Sequence, residues 1–520
     1  MDAEGSVRMD QLRVRRIVLI TLGLVWAGLA GAWGQQAKYG GTLRVAFEAD
    51  VTGFDPAVPG LQNYYVNQNL FNTLVTLDEN LGFVPDLAES WDVREQGKVY
   101  LFHLRRGVQF HDGTDFDAAA VKWNLDRIMA DDKAPAHRFF ANVESSEVLD
   151  AQTLKIIMRY PTTTLLSALA TNGTGLHIIS PTSEQTWGKD VLRHPSGTGP
   201  FRFVSWEQNS RIVLERNPDY FKKGLPYLDR LEYRIMKEGV TRAAALRAGE
   251  VDFVNWTPRE ALERLSKDPK VRVLQGPEAS HLYSNFTVTR KPFDDVRVRQ
   301  ALIGYGLNRP AIAKAAMLGY ATPSISFVSP GARGYLDLSE RYPYDPARAR
   351  ALLKEAGFDV KNPLRYTIMT HGAEPSLPTI AAIVKTQMAA IGVEVTVEVI
   401  DRPVFLKRLL RDRDYDQVIN MALPFLDVGD RGFVLERGGL NLPNHQDAKV
   451  DEMFDRWRRA LDPQEQRTIA DEVQGYVADN ALYTAICGNP IVNALRADVK
   501  GYTYMRGLLV MFERTWLDRP

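Results

Sequence analysis

The chain has 520 residues, and 45% of them are hydrophobic. A chain of this length exceeds the usual size of a single compact domain, so we expect two or more domains, each with its own core. The 64 basic residues balance the 64 acidic residues, and the formal net charge is zero. That balance argues against nucleic acid, and against an anionic membrane surface, as the main partner. The single cysteine, Cys487, excludes an intramolecular disulfide, so burial of apolar cores must stabilise the fold.

The first 34 residues have the pattern of an export signal. Three arginines at positions 13, 15 and 16 precede an uncharged run over residues 17–33, and a cut is predicted between Gly34 and Gln35. The alternative is an uncleaved membrane anchor, since the run reaches the lower length limit for spanning a bilayer. Its glycines weaken it as a helix, and no cysteine stands at the cut to form a lipoprotein box. The pattern therefore predicts a soluble periplasmic protein released after Sec-type export.

After this signal, strand and helix patterns alternate along the chain, which is typical of an α/β protein. Period-two alternation of apolar residues predicts strands at 41–47, 98–104, 153–159, 211–216, 231–236, 282–287, 393–400 and 415–421. Helical spacing and terminal signals predict helices at 164–171, 241–248, 345–353, 376–391, 403–410 and 463–480. The run 58–65 is interpreted as a loop that leads into a helix.

The stretch 87–129 combines a strand, a turn and a helix. Both faces of the strand 98–104 are largely apolar, which predicts that the strand is covered on both sides. Asp112-Gly113 predicts a turn, and Asp115 or Asp117 is expected to cap the helix that follows. By itself this arrangement indicates no function.

The exact residues of the same stretch are more specific to one protein family. Leu87–Trp91 reads LAESW, Phe102–Gly107 reads FHLRRG and Phe110–Gly113 reads FHDG. Together they resemble the signature of the family 5 extracellular solute-binding proteins, the peptide and nickel receptors of bacterial ABC importers. Further family-like blocks follow in the same order, GTGPF at 197–201 and PFDDVRVRQAL at 292–302. The resemblance covers nearly all of the chain after residue 34.

The resemblance implies a two-lobed α/β fold of the type II-like, Venus-flytrap kind, with an extra subdomain in the first lobe. The expected division is a signal peptide at 1–34, a first lobe at 35–284 with the subdomain at about 61–185, a second lobe at 285–488 and a C-terminal return at 489–520. The implied function is a monomeric periplasmic receptor. It would hold a small molecule, a short peptide in the first place, between the lobes and deliver it to an inner-membrane ABC permease.

The resemblance also implies where the ligand binds. In peptide-binding members, an aspartate after the strand at 415–421 pairs with the ligand's α-ammonium, and Asp427 is the best positional match, with Asp430 in reserve. Those members have a tryptophan shortly before this aspartate, which Phe425 would replace here. The alternative is a purely structural role, in which Asp427 only caps a loop. Because the surrounding residues depart from the family pattern, the ligand class stays open.

Other candidate contacts come from three places. The loop after the first strand offers polar and aromatic side chains, the residue at 256 offers an indole as an apolar platform with one donor, and the strand 282–287 offers two polar groups. These candidates are Gln62, Asn63, Tyr64, Trp256, Tyr283 and Asn285. The alternatives are a solvated loop with a packed tyrosine, and a tryptophan packed between elements.

Catalytic apparatus is not evident in the sequence. The eight histidines are scattered without metal-ligand spacing, and there is no nucleophile elbow, P-loop or H-E-x-x-H motif. GTGPF is no phosphate loop, because Pro200 removes an amide that a phosphate would need. We therefore expect no enzyme activity, no cofactor and no metal. The alternatives are the same transport role for a metal chelate, an opine or an oligosaccharide, and an exported hydrolase.

Overall fold

The computed structural model describes residues 36–57, 61–131, 136–170, 176–425, 427–504 and 510–519. The chain divides into two units, residues 1–39 and 40–520. Residues 36–39 of the first unit have no regular secondary structure, and the predicted signal peptide at 1–34 lies outside the described residues. The second unit contains every helix and strand given below.

A seven-stranded sheet forms the first lobe. Its central strand, Thr42–Phe47, is parallel to Arg230–Ile235 on one side and to Phe253–Val254 on the other. Alternate residues Leu43, Val45 and Phe47 enter the core, as the period-two pattern predicts. In spatial order the strands are Val271–Gln275, Val492–Arg496, Phe253–Val254, Thr42–Phe47, Arg230–Ile235, Arg211–Arg216 and Phe201–Glu207.

A five-stranded sheet forms the second lobe, with an apolar core drawn from residues 282–487. Its order is Glu394–Ile400, Arg365–His371, Gln417–Met421, His281–Phe286 and Thr484–Gly488. The first three strands are parallel to one another, and the strand His281–Phe286 runs antiparallel to both of its neighbours. The predicted lobe boundary between residues 284 and 285 falls inside this strand, which pairs with the second-lobe sheet along its whole length. The proposed division of the chain otherwise stays a prediction.

The inserted region lies in the chain between the first two strands of the seven-stranded sheet. Its antiparallel sheet has the order Ala88–Arg94, Val99–Leu104, Thr153–Met158 and Val143–Asp150. The strand Val99–Leu104 is buried on both faces, as predicted. The helix Ala118–Met129 begins where the Asp117 carboxylate accepts the Ala120 N–H at 2.9 Å, so Asp117 is the cap.

The remaining helices flank the three sheets, and aspartate caps begin several of them. The α-helices are Leu61–Leu70, His137–Phe140, Thr164–Leu169, Pro181–Trp187, Gly239–Ala248, Arg259–Ser266, Val296–Arg299, Arg309–Ala316, Pro346–Glu355, Ser376–Ala389, Arg402–Lys407, Val428–Gly432, Ala448–Arg459 and Pro463–Asp479. Short strands pair at Val75–Leu77 with Phe83–Pro85, and at Val499–Lys500 with Trp516–Leu517. None of the helices in the described ranges combines the length and the apolar character that crossing a bilayer requires.

Two chain crossings position the space between the lobes. The strand Thr484–Gly488 belongs to the second-lobe sheet, and four residues later the strand Val492–Arg496 belongs to the first-lobe sheet. We call residues 489–491 the crossing segment. The second crossing lies between Val271–Gln275 and His281–Phe286. Two short stretches of backbone, residues 276–280 and 489–491, therefore join the two sheets.

Candidate functional site

The first lobe presents a carboxylate and an amide at the carboxyl ends of its parallel strands, and a second amide from the helix Leu61–Leu70. Glu48 directly follows the strand Thr42–Phe47, and Asn255 directly follows the parallel strand Phe253–Val254. The Asn255 Nδ2 donates to Glu48 Oε2 at 3.3 Å, and Gln62 Nε2 donates to Glu48 Oε1 at 3.4 Å. Burial raises the pKa of the Glu48 carboxyl above its usual value. In open parallel sheets, ligands bind beyond these strand ends.

Trp256 stands beside this carboxylate with its orientation fixed. Its indole N–H donates to the Tyr65 hydroxyl at 2.7 Å, and its backbone N–H donates to Asn493 Oδ1 at 3.1 Å. The residue has a φ of 48°, a backbone conformation that is uncommon for a bulky side chain. The half-buried ring is thus held rigidly, which a ligand platform requires, although the role predicted for it stays a prediction.

Gln62, Asn63 and Tyr64 lie in the first turns of the helix Leu61–Leu70, so the loop interpretation of residues 61–65 is wrong. Asn63 is 1% exposed and bonds Thr52 with both ends of its amide, which fixes the segment after the first strand. Tyr64 is half-buried, and burial raises its pKa to about 12 against the opposing charge of Arg138. Of the three, Gln62 contacts the Glu48 carboxylate and Asn63 supports the loop.

The second lobe contains the buried guanidinium of Arg431, which is hydrogen-bonded to a series of polar side chains. Arg431 is 3% exposed and donates through Nη2 to the Tyr483 hydroxyl and, at 3.3 Å, to His281 Nε2. The His281 ring also contacts the Tyr483 hydroxyl at 2.9 Å and Ser329 Oγ at 2.8 Å. Burial lowers the pKa of His281 well below its usual range, and the Arg431 charge adds to this, so the ring is neutral. A neutral Nε2 acceptor places the ring proton on Nδ1, facing Ser329.

Aromatic rings extend from this guanidinium to the inserted region. The Phe425 ring centroid lies 5.1 Å from the Arg431 guanidinium carbon and 6.0 Å from the Phe433 ring centroid. The Arg138 guanidinium, from the inserted region, lies 4.2 Å from the Phe433 ring. Phe425 is 8% exposed, so it is a packed element of this wall.

Tyr283 and Asn285 lie on the strand His281–Phe286, in different surroundings. Tyr283 stacks on Tyr483 with 4.7 Å between ring centroids, and its hydroxyl accepts from Asn420 Nδ2 at 3.2 Å. Tyr283 therefore packs against Tyr483, one of the residues that bond Arg431. Asn285 is fully buried and donates to the Tyr415 hydroxyl at 3.1 Å and the Leu442 carbonyl at 3.2 Å. Its amide nitrogen is thus used inside the second lobe.

Asp427 already bonds groups of its own chain. It is 4% exposed, and its carboxylate accepts from Arg333 Nη2 at 2.9 Å and from Ser167 Oγ at 3.3 Å. A ligand ammonium would have to share a carboxylate that an arginine neutralises. Its ammonium-binding role and the loop-capping alternative both stay predictions. The side chain of Asp430, the reserve candidate, lies outside the described residues.

Sequence reasoning missed two pairs of residues that the structure brings together, Glu48 with Asn255 and His281 with Arg431. A usable signal existed for the first two, because each is polar and directly follows an apolar strand. Arg431 carried no such signal. Cys487 is buried, and burial raises the pKa of its thiol to about 12, which suits an inert residue. Within the described ranges, no group of three or more His, Cys, Asp or Glu side chains is placed to hold a metal ion.

The comparisons with known proteins agree on one family. The model of the bacterial extracellular solute-binding proteins, family 5 Middle, matches residues 82–432. The glutathione-binding protein GsiB of Escherichia coli O157:H7 is 34% identical over 392 residues, which are 75% of this chain and 74% of GsiB.

Two solved structures extend the likeness over almost the whole chain. The ABC transporter-associated periplasmic binding protein DppA from Helicobacter pylori, in complex with the peptide STSA, has 26% identity and a TM-score of 0.79 over 93% of this chain and 99% of DppA. AgaA from A. tumefaciens R10, in complex with agropinic acid, has 25% identity and a TM-score of 0.77 over 92% and 99%. These likenesses confirm the predicted two-lobed fold class.

Proposed function

The chain belongs to the bacterial extracellular solute-binding proteins of family 5, and on that basis we propose that it is the periplasmic receptor of an ABC importer for a short peptide or a peptide-like compound. GsiB is named for glutathione, a peptide, and DppA was solved with the peptide STSA. The receptor would carry its ligand to a membrane permease. The export pattern of residues 1–34 supports a periplasmic location.

One observation carries this proposal: each lobe offers a cluster of polar and aromatic side chains. The first lobe contributes Glu48 and Trp256, and the second contributes Tyr283 and Arg431. A ligand that contacts both lobes at once binds the closed arrangement better than the open one. That difference in affinity is what lets closure report the ligand to a permease.

A receptor role accounts for this site better than catalysis does. The aromatic rings and neutral hydrogen-bonding partners around Arg431 provide shape and polarity, and the thiol of Cys487 is protonated. The family and its relatives are named as binding proteins. We therefore infer that the chain binds its ligand without transforming it.

A non-peptide ligand is the second candidate. AgaA, at 25% identity, was solved with agropinic acid, and the residues around Asp427 depart from the pattern of peptide receptors. An opine carries carboxylates and amine nitrogens, so the same polar groups could bind it. A peptide and an opine would leave the transport role the same and would differ only in which compound the receptor carries.

Mass spectrometry of small molecules released from the purified protein tests the proposal first. We expect short peptides or glutathione, and calorimetry with glutathione, trialanine and Ser-Thr-Ser-Ala should then give saturable binding. A single co-purified opine, with no heat from the three peptides, would replace the ligand class. Steady turnover of any of the three peptides would contradict the receptor role.

A further inference from the structure

The second lobe also contacts the inserted region, through residues that lie outside the two chain crossings. Those crossings, residues 276–280 and 489–491, connect the seven-stranded sheet with the five-stranded sheet. The inserted region precedes both of them in the chain, and Cys487 is the single cysteine, so the contacts between the inserted region and the second lobe are non-covalent. These contacts are therefore able to form and break as the lobes move.

On the inserted region, a turn and a loop form one surface. Gly97 lies in the turn between the first two strands of the inserted sheet, and residues 160–163 follow the last strand of that sheet. The Thr162 N–H donates to the Gly97 carbonyl at 3.2 Å, and the Tyr100 hydroxyl donates to the Thr162 carbonyl at 2.5 Å. Thr162 is fully buried, so the turn and the loop are held together from within the inserted region itself.

On the second lobe, the facing surface is the connection between the helices Ala448–Arg459 and Pro463–Asp479. Leu461 of this connection is 39% exposed and packs on Gly97, where a Cβ would lie 3.3 Å from Leu461 Cδ2, so the glycine permits the close approach. The Arg459 side chain keeps 55% of its surface exposed. An interface this polar and exposed leaves its two sides able to move apart.

Two polar contacts join these surfaces. The Gln466 Nε2 of the second lobe donates to Thr163 Oγ1 of the inserted region at 2.9 Å. The Arg459 guanidinium carbon of the second lobe lies 4.9 Å from the ring centroid of Tyr160 in the inserted region, which is the geometry of a cation–π contact. We call these four residues the clasp. Both contacts must break when the second lobe moves away from the inserted region.

The inserted region is bound more firmly to the first lobe. Lys222 of the first lobe pairs with Asp86 of the inserted region at 3.0 Å and with Glu513 of the C-terminal segment at 3.3 Å, and Asp86 is buried. Arg127 of the inserted region pairs with Asp55, which is buried in the segment after the first strand. Separating the charges of a buried pair is costly, whereas exposed polar contacts contribute little each. Opening of the lobes therefore breaks the clasp and leaves the inserted region with the first lobe.

We propose that the clasp forms the closed arrangement in the ligand-free protein, so that the ligand binds to an arrangement that is already populated. This rests on the proposed receptor function and adds to it a device that sets how readily the receptor closes. A ligand that contacts both lobes still shifts the balance toward closure, since it binds the closed arrangement better. Its apparent affinity depends on the closed fraction of the protein, so the clasp strengthens binding through closure.

Distances between two spin labels test this without any ligand. One label is attached at Ala141→Cys, an exposed position next to Asn142, whose amide donates to the Tyr160 carbonyl at 3.2 Å. The other is attached at Gln464→Cys, an exposed position in the second lobe, while the buried Cys487 stays unlabelled. Unfolding and refolding frees the protein of small molecules. Electron paramagnetic resonance should then show two distance populations, with the shorter, closed one dominant.

Removing the clasp should shift this balance. Arg459→Gln together with Gln466→Ala deletes both contacts and should lower the closed-to-open ratio about tenfold. Arg456→Gln is the matched control, because Arg456 lies on the same helix as Arg459 and pairs with Glu472 of its own lobe at 3.2 Å. Gln466→Ala alone keeps the test available if the double variant does not fold.

Two results would overturn the proposal: a single longer distance in the labelled protein that carries no other change, or equal ratios in the clasp variant and the control. No peptide enters this experiment. If glutathione, trialanine and Ser-Thr-Ser-Ala all fail to bind, the peptide function is contradicted while the measured closed-to-open ratios stand.

Discussion

Ser167 and Asp427 join the inserted region to the second lobe: the Ser167 hydroxyl donates to the Asp427 carboxylate at 3.3 Å. Ser167 lies on the helix Thr164–Leu169 of the inserted region, and Asp427 follows the second-lobe strand Gln417–Met421. Arg333 of the second lobe supports the same junction, with its guanidinium 4.9 Å from the Phe83 ring of the inserted region. These contacts hold the inserted region against the second lobe.

Ser167→Ala is expected to loosen this junction. One hydrogen bond to a charged group is lost, which shifts the balance toward a more open arrangement by about 1 kcal/mol, or about fivefold. Small-angle scattering of the ligand-free protein should give a larger radius of gyration than for the unchanged protein. Ser266→Ala, at an exposed position on the helix Arg259–Ser266, is the control. Equal radii for both variants would mean that Ser167 does not hold the junction.

Asp427→Asn distinguishes two roles for this carboxylate. If Asp427 binds the ligand ammonium, the substitution weakens binding of free-amine peptides by more than about tenfold. If it serves the Arg333 pair, the substitution lowers the free energy of unfolding by about 1 kcal/mol, because Arg333 is partly exposed and the pair is screened. We expect the second result. Calorimetry and urea unfolding of the same preparation read the two quantities separately.

Trp256→Phe tests the rigid indole beside Glu48. The phenyl ring keeps an apolar face but loses the bond to Tyr65, so we expect a loss of peptide affinity of about fivefold. Part of the fluorescence change on ligand binding should be lost as well. Trp187→Phe is the control, because Trp187 is 46% exposed and stacks on His194. Equal affinity for the two variants would assign Trp256 to packing alone.

Asp252 makes the stability of the first lobe depend on pH. It is fully buried and bonds Arg44 Nη2 at 2.8 Å and Arg519 Nη1 at 2.9 Å. Burial would raise the pKa of its carboxyl, but these bonds lower it below the usual 3.8. A folded pKa below the unfolded value stabilises the fold above that unfolded value, and the contribution is lost as pH falls through the folded pKa.

We therefore expect Asp252→Asn to unfold at a lower temperature than the unchanged protein at pH 7, with a smaller further loss between pH 4 and pH 3, roughly the range around the unfolded pKa. Thermal scans at pH 7, 5, 4 and 3 measure this difference. Asp219→Asn, at an exposed position, should follow the unchanged protein throughout. Parallel pH curves for Asp252→Asn and the unchanged protein would contradict the role given to this carboxylate.

Local features of the fold were predictable because neighbouring residues carry them. The strand Val99–Leu104 and its burial on both faces follow from apolar alternation, and the Asp117 cap follows from a carboxylate placed before a helical pattern. GTGPF leads directly into the strand Phe201–Glu207. A Cβ on Gly199 would lie 2.4 Å from the Leu70 carbonyl carbon, so the close approach that glycine permits is present.

The sequence by itself determined the α/β class, the order of most elements and, through ordered motif blocks, the family. Tertiary structure alone decided which side chains share a site. Glu48 and Asn255 are 207 residues apart, and parallel strand pairing brings them together. The pairing of Asp427 with Arg333, 94 residues earlier, could not be foreseen, because Arg333 has no local signature. Pairing of this kind depends on long-range register and packing, which short windows of sequence do not encode.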